Sequence, residues 1–568
     1  LYTTLPQTST EIEQLSWADI EPWYRELLAV RLTATNVEGW LRQWSQLTAL
    51  VDETNNWLHI LTTRDTANAS YAQRRARFLD NLFAPIQSAD QQIKAHLLAS
   101  GLEPEGFAIP LRKLRVESKL FREENVPLLN DVDKLVDGYF SINGAQQVLW
   151  EGQEMAISRL LPEMQSPDRT RREEAWRIYS ERKLQDRDAL NDVWVKLLRL
   201  RQQMAKNAGF ADYRALRWKQ LHRFDYTPED CKALHEAVRQ VVVPVANQIA
   251  DKRRQLLGRD VLRPWDVDVD LRSDKEPRPI VDVAATLAQC AGLFAQIDPK
   301  LGEYLATMIE EDCFDLDERE NKAPGGYCNN LEVRRLPFVF GELQTTNDLI
   351  DLVFHETGHA FQTFEARQLP YIHQRVNYIS VEFNEVASMS MEYIGGEKMV
   401  AAGLLTKEEA RSLRISHLEG SLLILPRVIQ GDAFQHWIYE NPDLAQDPEQ
   451  VSQKWAELVR LYQPYIDWTG CEEVLNNGWQ KIPHFFVVPF YYIEYVYARI
   501  GALQVWRNYL ADPAKGLRQY RTALSMGATR SCPELFEVVG ARFGADVATL
   551  QEIVRFVTGK LAELESTT

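Results

Sequence analysis

From Asp168 to Asn207 the chain runs without a proline or glycine, and its apolar residues recur at spacings of three and four. That rhythm matches the turn of an α-helix, so one face is apolar while the other, dense in Arg, Glu and Asp, meets water. One or two long amphipathic helices are expected there. The stretch from Ser16 to about Ser100 repeats the pattern with Trp and Leu. It opens on a helix-start signal, Ser16 followed three residues later by Asp19. The predicted fold is therefore mainly α. Strand signals are clearest in two short runs: Tyr327–Val333, after Ala323-Pro324-Gly325-Gly326, and Phe338–Phe340, after Pro337. They read as a small sheet beside a larger helical body. Pro264, Pro277 and Pro279 mark a loop within Leu262–Pro279.

Composition narrows the function classes. Of the 568 residues 45% are hydrophobic and 26% charged, ordinary values for a globular enzyme. The formal net charge of −17 argues against nucleic acid or an anionic membrane as partner, since such surfaces recruit basic faces. No uncharged apolar stretch is long enough to span a bilayer. Six cysteines stand apart with no C-x-x-C pair, which suits reduced structural thiols. The first residues lack a basic segment followed by an apolar core, so the expected location is cytoplasmic.

The chemistry concentrates in Thr345–Arg367, TTNDLIDLVFHETGHAFQTFEAR. Asn347, with Asp348 behind it, is the expected N-cap, and Leu349, Leu352, Val353, Ala360, Phe361 and Phe364 supply an apolar face. Inside lies His355-Glu356-Thr357-Gly358-His359, a match to H-E-x-x-H. Residues four apart share a helix face, so both imidazoles can reach one ion. Glu356 lies beside that face, placed to take a proton from water rather than to ligate. The bland alternative is a pair of partly buried, hydrogen-bonded histidines. A longer pattern with a third histidine is absent, because Gln362 and Glu365 stand where its Gly and His belong. A third ligand must come from elsewhere, with one position left open for water or substrate.

A second helix, Ser380–Ile394, offers it. Ser380 can cap this helix and Gly395-Gly396 can end it. Glu382, Glu385 and Glu392 fall near one face, and periodicity does not choose among them. Further on, PHFFVVPFYYIEYVYA (Pro483–Ala498) carries His484 ahead of a helix that Pro489 can start. Tyr495 shares a face with Tyr491 or Tyr492; an aromatic packing stripe is the plain reading of such residues.

Several separated segments are similar to the zinc metallopeptidases of the oligoendopeptidase F and thimet oligopeptidase family. They are MAKNAGFADYRALRW (Met204–Trp218), LRPWD (Leu262–Asp266), APGGYC (Ala323–Cys328), HETGHAF (His355–Phe361), FNEVASMSMEY (Phe383–Tyr393), Pro483–Ala498 and LSMGATRSCPEL (Leu524–Leu535). The resemblance implies one zinc ion per chain on His355, His359 and Glu385, with Glu356 as general base. It makes Glu382 and Glu392 candidate partners of a ligating histidine. It also implies that His484 and Tyr495 stabilise the tetrahedral intermediate and that Tyr491 or Tyr492 grips substrate. The chain departs from the thimet branch in having Phe485-Phe486-Val487-Val488-Pro489 where that branch has a glycine-rich loop. The implied fold is an elongated, two-lobed helical metallopeptidase with a deep substrate channel. The implied division is an N-terminal helical region, 1–200, and a zinc-peptidase catalytic region, 201–568. The implied activity is endopeptidase cleavage of short, unstructured oligopeptides. Its rivals are a dipeptidyl carboxypeptidase-type exopeptidase and a peptide-binding relative without catalysis. The oligomeric state is not readable from these residues.

Overall fold

A computed structural model describes residues 5–269 and 278–566. Pro277 of the expected Leu262–Pro279 loop lies outside the described residues; within that loop Pro264–Asp266 is a 3₁₀ turn and Pro279 bridges to Thr345. Helix dominates, as the periodicity predicts. Asp168–Asn207 becomes two helices, Arg169–Gln185 and Arg187–Asn207. The first begins where Asp168 Oδ1 accepts from the Thr170 and Arg171 amides. The signal at Ser16 also holds: Trp17–Ala29 starts behind it, and the Ser16 amide and hydroxyl both donate to Asp19. No described helix is long and apolar enough to cross a membrane. All six cysteines are free thiols.

The chain folds into two compact units, each assembled from three separated stretches. One comprises Leu1–Ser118, Pro277–Ala410 and Gly501–Phe543; the other comprises Lys119–Glu276, Arg411–Ile500 and Gly544–Thr568. In the first, the long helix Val37–Arg64 buries Trp40, Trp44 and Leu47 against Ile93 and Phe107. A three-stranded sheet lies in the same unit. Its middle strand, Leu336–Phe340, pairs antiparallel with Tyr327–Leu331 and parallel with the two-residue strand Phe314–Asp315. Tyr327 stands opposite Phe340 and Leu331 opposite Leu336. Every residue of the middle strand is buried, as expected of a strand covered on both faces. The hairpin is where the sequence places it. The third strand is too short to carry a period of its own.

In the second unit, Trp194, Trp479 and Phe486 form an aromatic core, the last two rings stacked at 5.7 Å. A small antiparallel ribbon, Gln147–Trp150 with Gln153–Ala156, lies in this unit. The helix Pro228–Leu256 starts behind Thr227, whose hydroxyl and amide pair with Asp230.

Asp315 ties the sheet of the first unit together. Its buried carboxylate meets Arg64 at 2.7 Å, Arg319 at 2.5 Å and Lys322 at 2.9 Å. Burial works against its charge, yet hydrogen bonds and charges from Arg319 and Lys322 hold the carboxyl down to about 2. The resulting stability is present above the ordinary value of 3.8 and is lost as pH falls through about 2. Denaturation midpoints measured across that window should drop by the equivalent of about 2 kcal/mol. In Asp315→Asn the drop should be markedly shallower, from a lower starting stability; an unchanged slope would remove Asp315 from the account.

Candidate active site

The H-E-x-x-H segment begins differently from its sequence reading. The cap is Asp348, not Asn347. Its carboxylate accepts from the amides of Gln344 and Thr345 and from the Thr345 hydroxyl, which fixes the turn one residue later than expected. A π-helical turn, Leu349–Phe354, then leads into the α-helix His355–Ala366. The Thr357 hydroxyl donates to the Val353 carbonyl across the junction. The helix packs on the hairpin, and the Thr363 hydroxyl donates to Asn330 Oδ1 on the edge strand.

His355 and His359 lie one turn apart with ring centroids separated by 5.0 Å. Facing them is the helix Val381–Gly396. Gly395-Gly396 are its last two residues, so the helix stops where the sequence reading ends it. Their use is packing, because a Cβ on Gly395 would stand 2.8 Å from the Phe354 ring. The two helices approach most tightly at Gly358. A Cβ there would lie 2.5 Å from the Ser388 Cα and 2.6 Å from the Ala387 carbonyl oxygen. Tyr520 steadies the same point from behind, its hydroxyl donating to the Ala387 carbonyl at 2.9 Å.

This close approach brings Glu385 to the rings. Its Oε2 is 3.5 Å from His355 Nε2 and 3.9 Å from His359 Nε2. The three donor atoms all lie within 4.8 Å of one another. Two ligands about 2.1 Å from a tetrahedral ion are themselves about 3.4 Å apart, so the spacing fits one cation with a position to spare. The Ser388 hydroxyl donates to Glu385 Oε2 at 3.1 Å and aims that carboxylate. Glu392 occupies the back of His355, Oε1 to Nδ1 at 2.7 Å. With the proton on Nδ1, Nε2 presents its lone pair to the cluster. Glu382 is buried in the first turn of the same helix. Burial opposes charge on His355, but Glu392, Glu385 and Glu356 lift it to about 9. His359, governed by burial and the charge of His355, falls to about 3.

Glu356 is buried beside the rings. Burial, opposed by His355 and assisted by Glu385 and Glu392, pushes its carboxyl up to about 7. The edge strand starts next to it: a Cβ on Gly326 would come within 3.7 Å of Glu356 Oε1.

The other predicted residues gather in the second unit. His484 lies inside a short helix, Pro483–Val487, rather than ahead of one. Pro489 starts no helix; Phe490 turns the chain in the left-handed region at φ 67°, and the next α-helix opens at Glu494. A non-glycine residue rarely adopts that conformation, and here arginines secure it. Arg223 donates to the Phe490 carbonyl and to Glu494, Arg217 to the Pro489 carbonyl, and Arg201 to the carbonyls of Phe485 and Phe486. The Phe490 amide donates to Gln435 at 2.6 Å. This clamp has no local sequence signal, since its members are more than fifty residues away. It collects the His484 ring 4.9 Å from Tyr492, 5.9 Å from Tyr495 and 6.2 Å from Tyr491. Burial lowers the His484 pKa. Tyr492 lies against Gly431 and Phe485.

Two imidazoles and a carboxylate converge beside a buried glutamate on a helical scaffold, a donor set that could hold a metal ion. Residues 163–554 match the family model for Peptidase family M3, and the chain belongs to that family of metallopeptidases. PZ peptidase A with an inhibitor has a TM-score of 0.86 at 26% identity, covering 97% of this chain and 98% of that one. A protein assigned as oligoendopeptidase F has a TM-score of 0.84 at 25% identity, covering 99% of each chain. Another so assigned, from Bacillus anthracis str. Ames, shares the fold at a TM-score of 0.82 and 24% identity over 97% of each. Comparison with curated protein sequences returns no match.

Replacing Gly358 should be costly because the atoms in the way are backbone. Gly358→Ala is expected to destabilise the first unit by about 1–3 kcal/mol, against a gain in helix propensity of about 1 kcal/mol at an unobstructed position. Thermal denaturation of both proteins checks this; a Tm unchanged or raised would contradict the close approach.

Proposed function

We propose that the chain is a zinc-dependent endopeptidase acting on short, unstructured oligopeptides, with one zinc ion per chain. The convergence of His355, His359 and Glu385 carries this reading. An N,N,O donor set with an open position is the usual arrangement of catalytic zinc, which when bound acts as a Lewis acid and makes a water nucleophilic near neutral pH. Glu392 fixes the His355 tautomer so that Nε2 is the donor atom.

Glu356 is the general base. Buried beside the rings, it is placed to take a proton from the attacking water and pass it to the leaving amine. The edge strand Tyr327–Leu331 beside Glu356 supports extended binding, since a strand edge offers amides and carbonyls for backbone pairing. Such pairing requires an unfolded substrate segment. In this reading His484 and Tyr495 donate to the developing oxyanion, and Tyr491 or Tyr492 holds the peptide. The catalytic region is then 201–568, with 1–200 as the N-terminal helical region. Six free thiols accord with a cytoplasmic setting.

Glu356→Gln preserves shape but cannot accept a proton. Its kcat on a blocked peptide should fall by about 10²–10⁴-fold with zinc content unchanged; turnover near wild type in the zinc-loaded variant would remove Glu356 from the mechanism. Tyr495→Phe should lower kcat by about 10²-fold with little change in KM, the signature of a donor used only in the transition state. A rise in KM alone would assign Tyr495 to binding.

A further inference from the structure

Among the described residues a second group has metal-ligand chemistry, and it lies wholly in the other unit. Cys231 and His235 are four apart on the helix Pro228–Leu256. Asp432 and His436 are four apart on the helix Lys407–Glu440. Each pair therefore shares one face of its helix, the same spacing logic as H-E-x-x-H. The faces meet. His235 Nε2 is 2.8 Å from Asp432 Oδ2, and His436 Nε2 is 3.3 Å from the same oxygen. The Cys231 sulfur and the ligand atoms of Asp432 and His436 lie within 4.8 Å of one another. All are buried: Cys231 and Asp432 are 0% exposed, His436 2% and His235 7%.

Two features separate this group from an ordinary polar contact. Asp432 Oδ1 and His436 Nε2 have no hydrogen-bond partner among the described residues, although both are enclosed. A buried carboxylate with one oxygen unsatisfied is costly, and its neighbours include a second unsatisfied ligand atom. The 3.3 Å from His436 Nε2 to Asp432 Oδ2 is long for a hydrogen bond. It equals the separation, about 3.3 Å, of two ligands each about 2.0 Å from a tetrahedral ion. Charge also balances, because one carboxylate and one thiolate neutralise a divalent cation while the imidazoles stay neutral.

We propose that Cys231, Asp432 and His436 form a structural site for a thiophilic divalent cation of the zinc type, with His235 hydrogen-bonded to Asp432 Oδ2 and orienting that carboxylate. Loading releases one proton, that of the Cys231 thiol, and the sulfur becomes the ligand. The Tyr497 hydroxyl, which hydrogen-bonds Cys231, remains to support the thiolate. Ligation through His436 Nε2 requires the ring proton on Nδ1, where Arg214 now stands at 3.1 Å. Arg214 then turns wholly to Glu440, which it already contacts at 2.5 Å. All three donors are enclosed, Cys231 and Asp432 fully, so no substrate reaches the ion and the site is structural rather than catalytic.

Full-length protein produced in cobalt-supplemented medium tests this independently of the peptidase reading, because the H-E-x-x-H donor set contains no sulfur. Wild-type protein should carry about two cobalt ions per chain and show thiolate-to-cobalt charge-transfer absorption in the near ultraviolet. His359→Ala should lose about one ion and keep the band. Cys231→Ser should lose the band, and Cys328→Ser, which removes a thiol that feels the Glu356 charge, should keep it. Wild-type protein with no thiolate–cobalt band overturns the proposal whether or not any variant folds. So does a band that persists in Cys231→Ser. A band in a protein without peptidase activity would leave this site standing and defeat the catalytic reading.

Discussion

The proposed centre depends on how closely two helices can approach. His355–Ala366 and Val381–Gly396 touch backbone to backbone at Gly358, where no Cβ fits against Ala387 and Ser388. That contact sets the reach of Glu385: a carboxylate side chain is short, and a further ångström between helices would take it out of range of both rings. The surroundings secure the crossing from several sides. Tyr520 holds the Ala387 carbonyl, Phe354 packs into the space left by Gly395, and Thr363 fastens the histidine helix to Asn330. Gly358 and Gly395 are the positions where backbone or an aromatic ring must come close.

Electrostatics follows from that geometry. Three carboxylates, Glu356, Glu385 and Glu392, act on His355 in a largely buried volume. Their roles diverge by position alone. Glu392 reaches Nδ1 and orients the ring, Glu385 faces both Nε2 atoms, and Glu356, lacking a cationic hydrogen-bond partner in this cluster, has its pKa raised to about 7 by burial. In the proposed mechanism these identical side chains become an orienting group, a donor to a cation and a proton carrier.

Much of this was legible in the sequence where the signal is local. Periodicity gives the helices, Ser16 with Asp19 gives a helix start, and H-E-x-x-H places two imidazoles on one face. Periodicity did not choose Glu385 over Glu382 and Glu392, since all three lie near one helix face; the family resemblance pointed to Glu385, and the fold brings its carboxylate to both rings. The cap shifted from Asn347 to Asp348 because adjacent residues can serve equally until the partner amides of Gln344 and Thr345 are in place. Pro489 suggested a helix start, but arginines at 201, 217 and 223 stabilise a left-handed Phe490 instead, and nothing near Phe490 in the chain announces them. The grouping of Cys231 and His235 with Asp432 and His436 had a weak signal, two pairs at helical spacing, and only the fold joins them.

The central claim is that His355, His359 and Glu385 share one zinc ion. Anomalous diffraction at the zinc edge, from crystals of the zinc-loaded, peptide-cleaving protein, tests it most directly. The account predicts a peak about 2.0–2.2 Å from both Nε2 atoms and from a Glu385 oxygen. Density with the Glu385 carboxylate turned from the rings and no peak between them, in protein that still cleaves peptide, would contradict it.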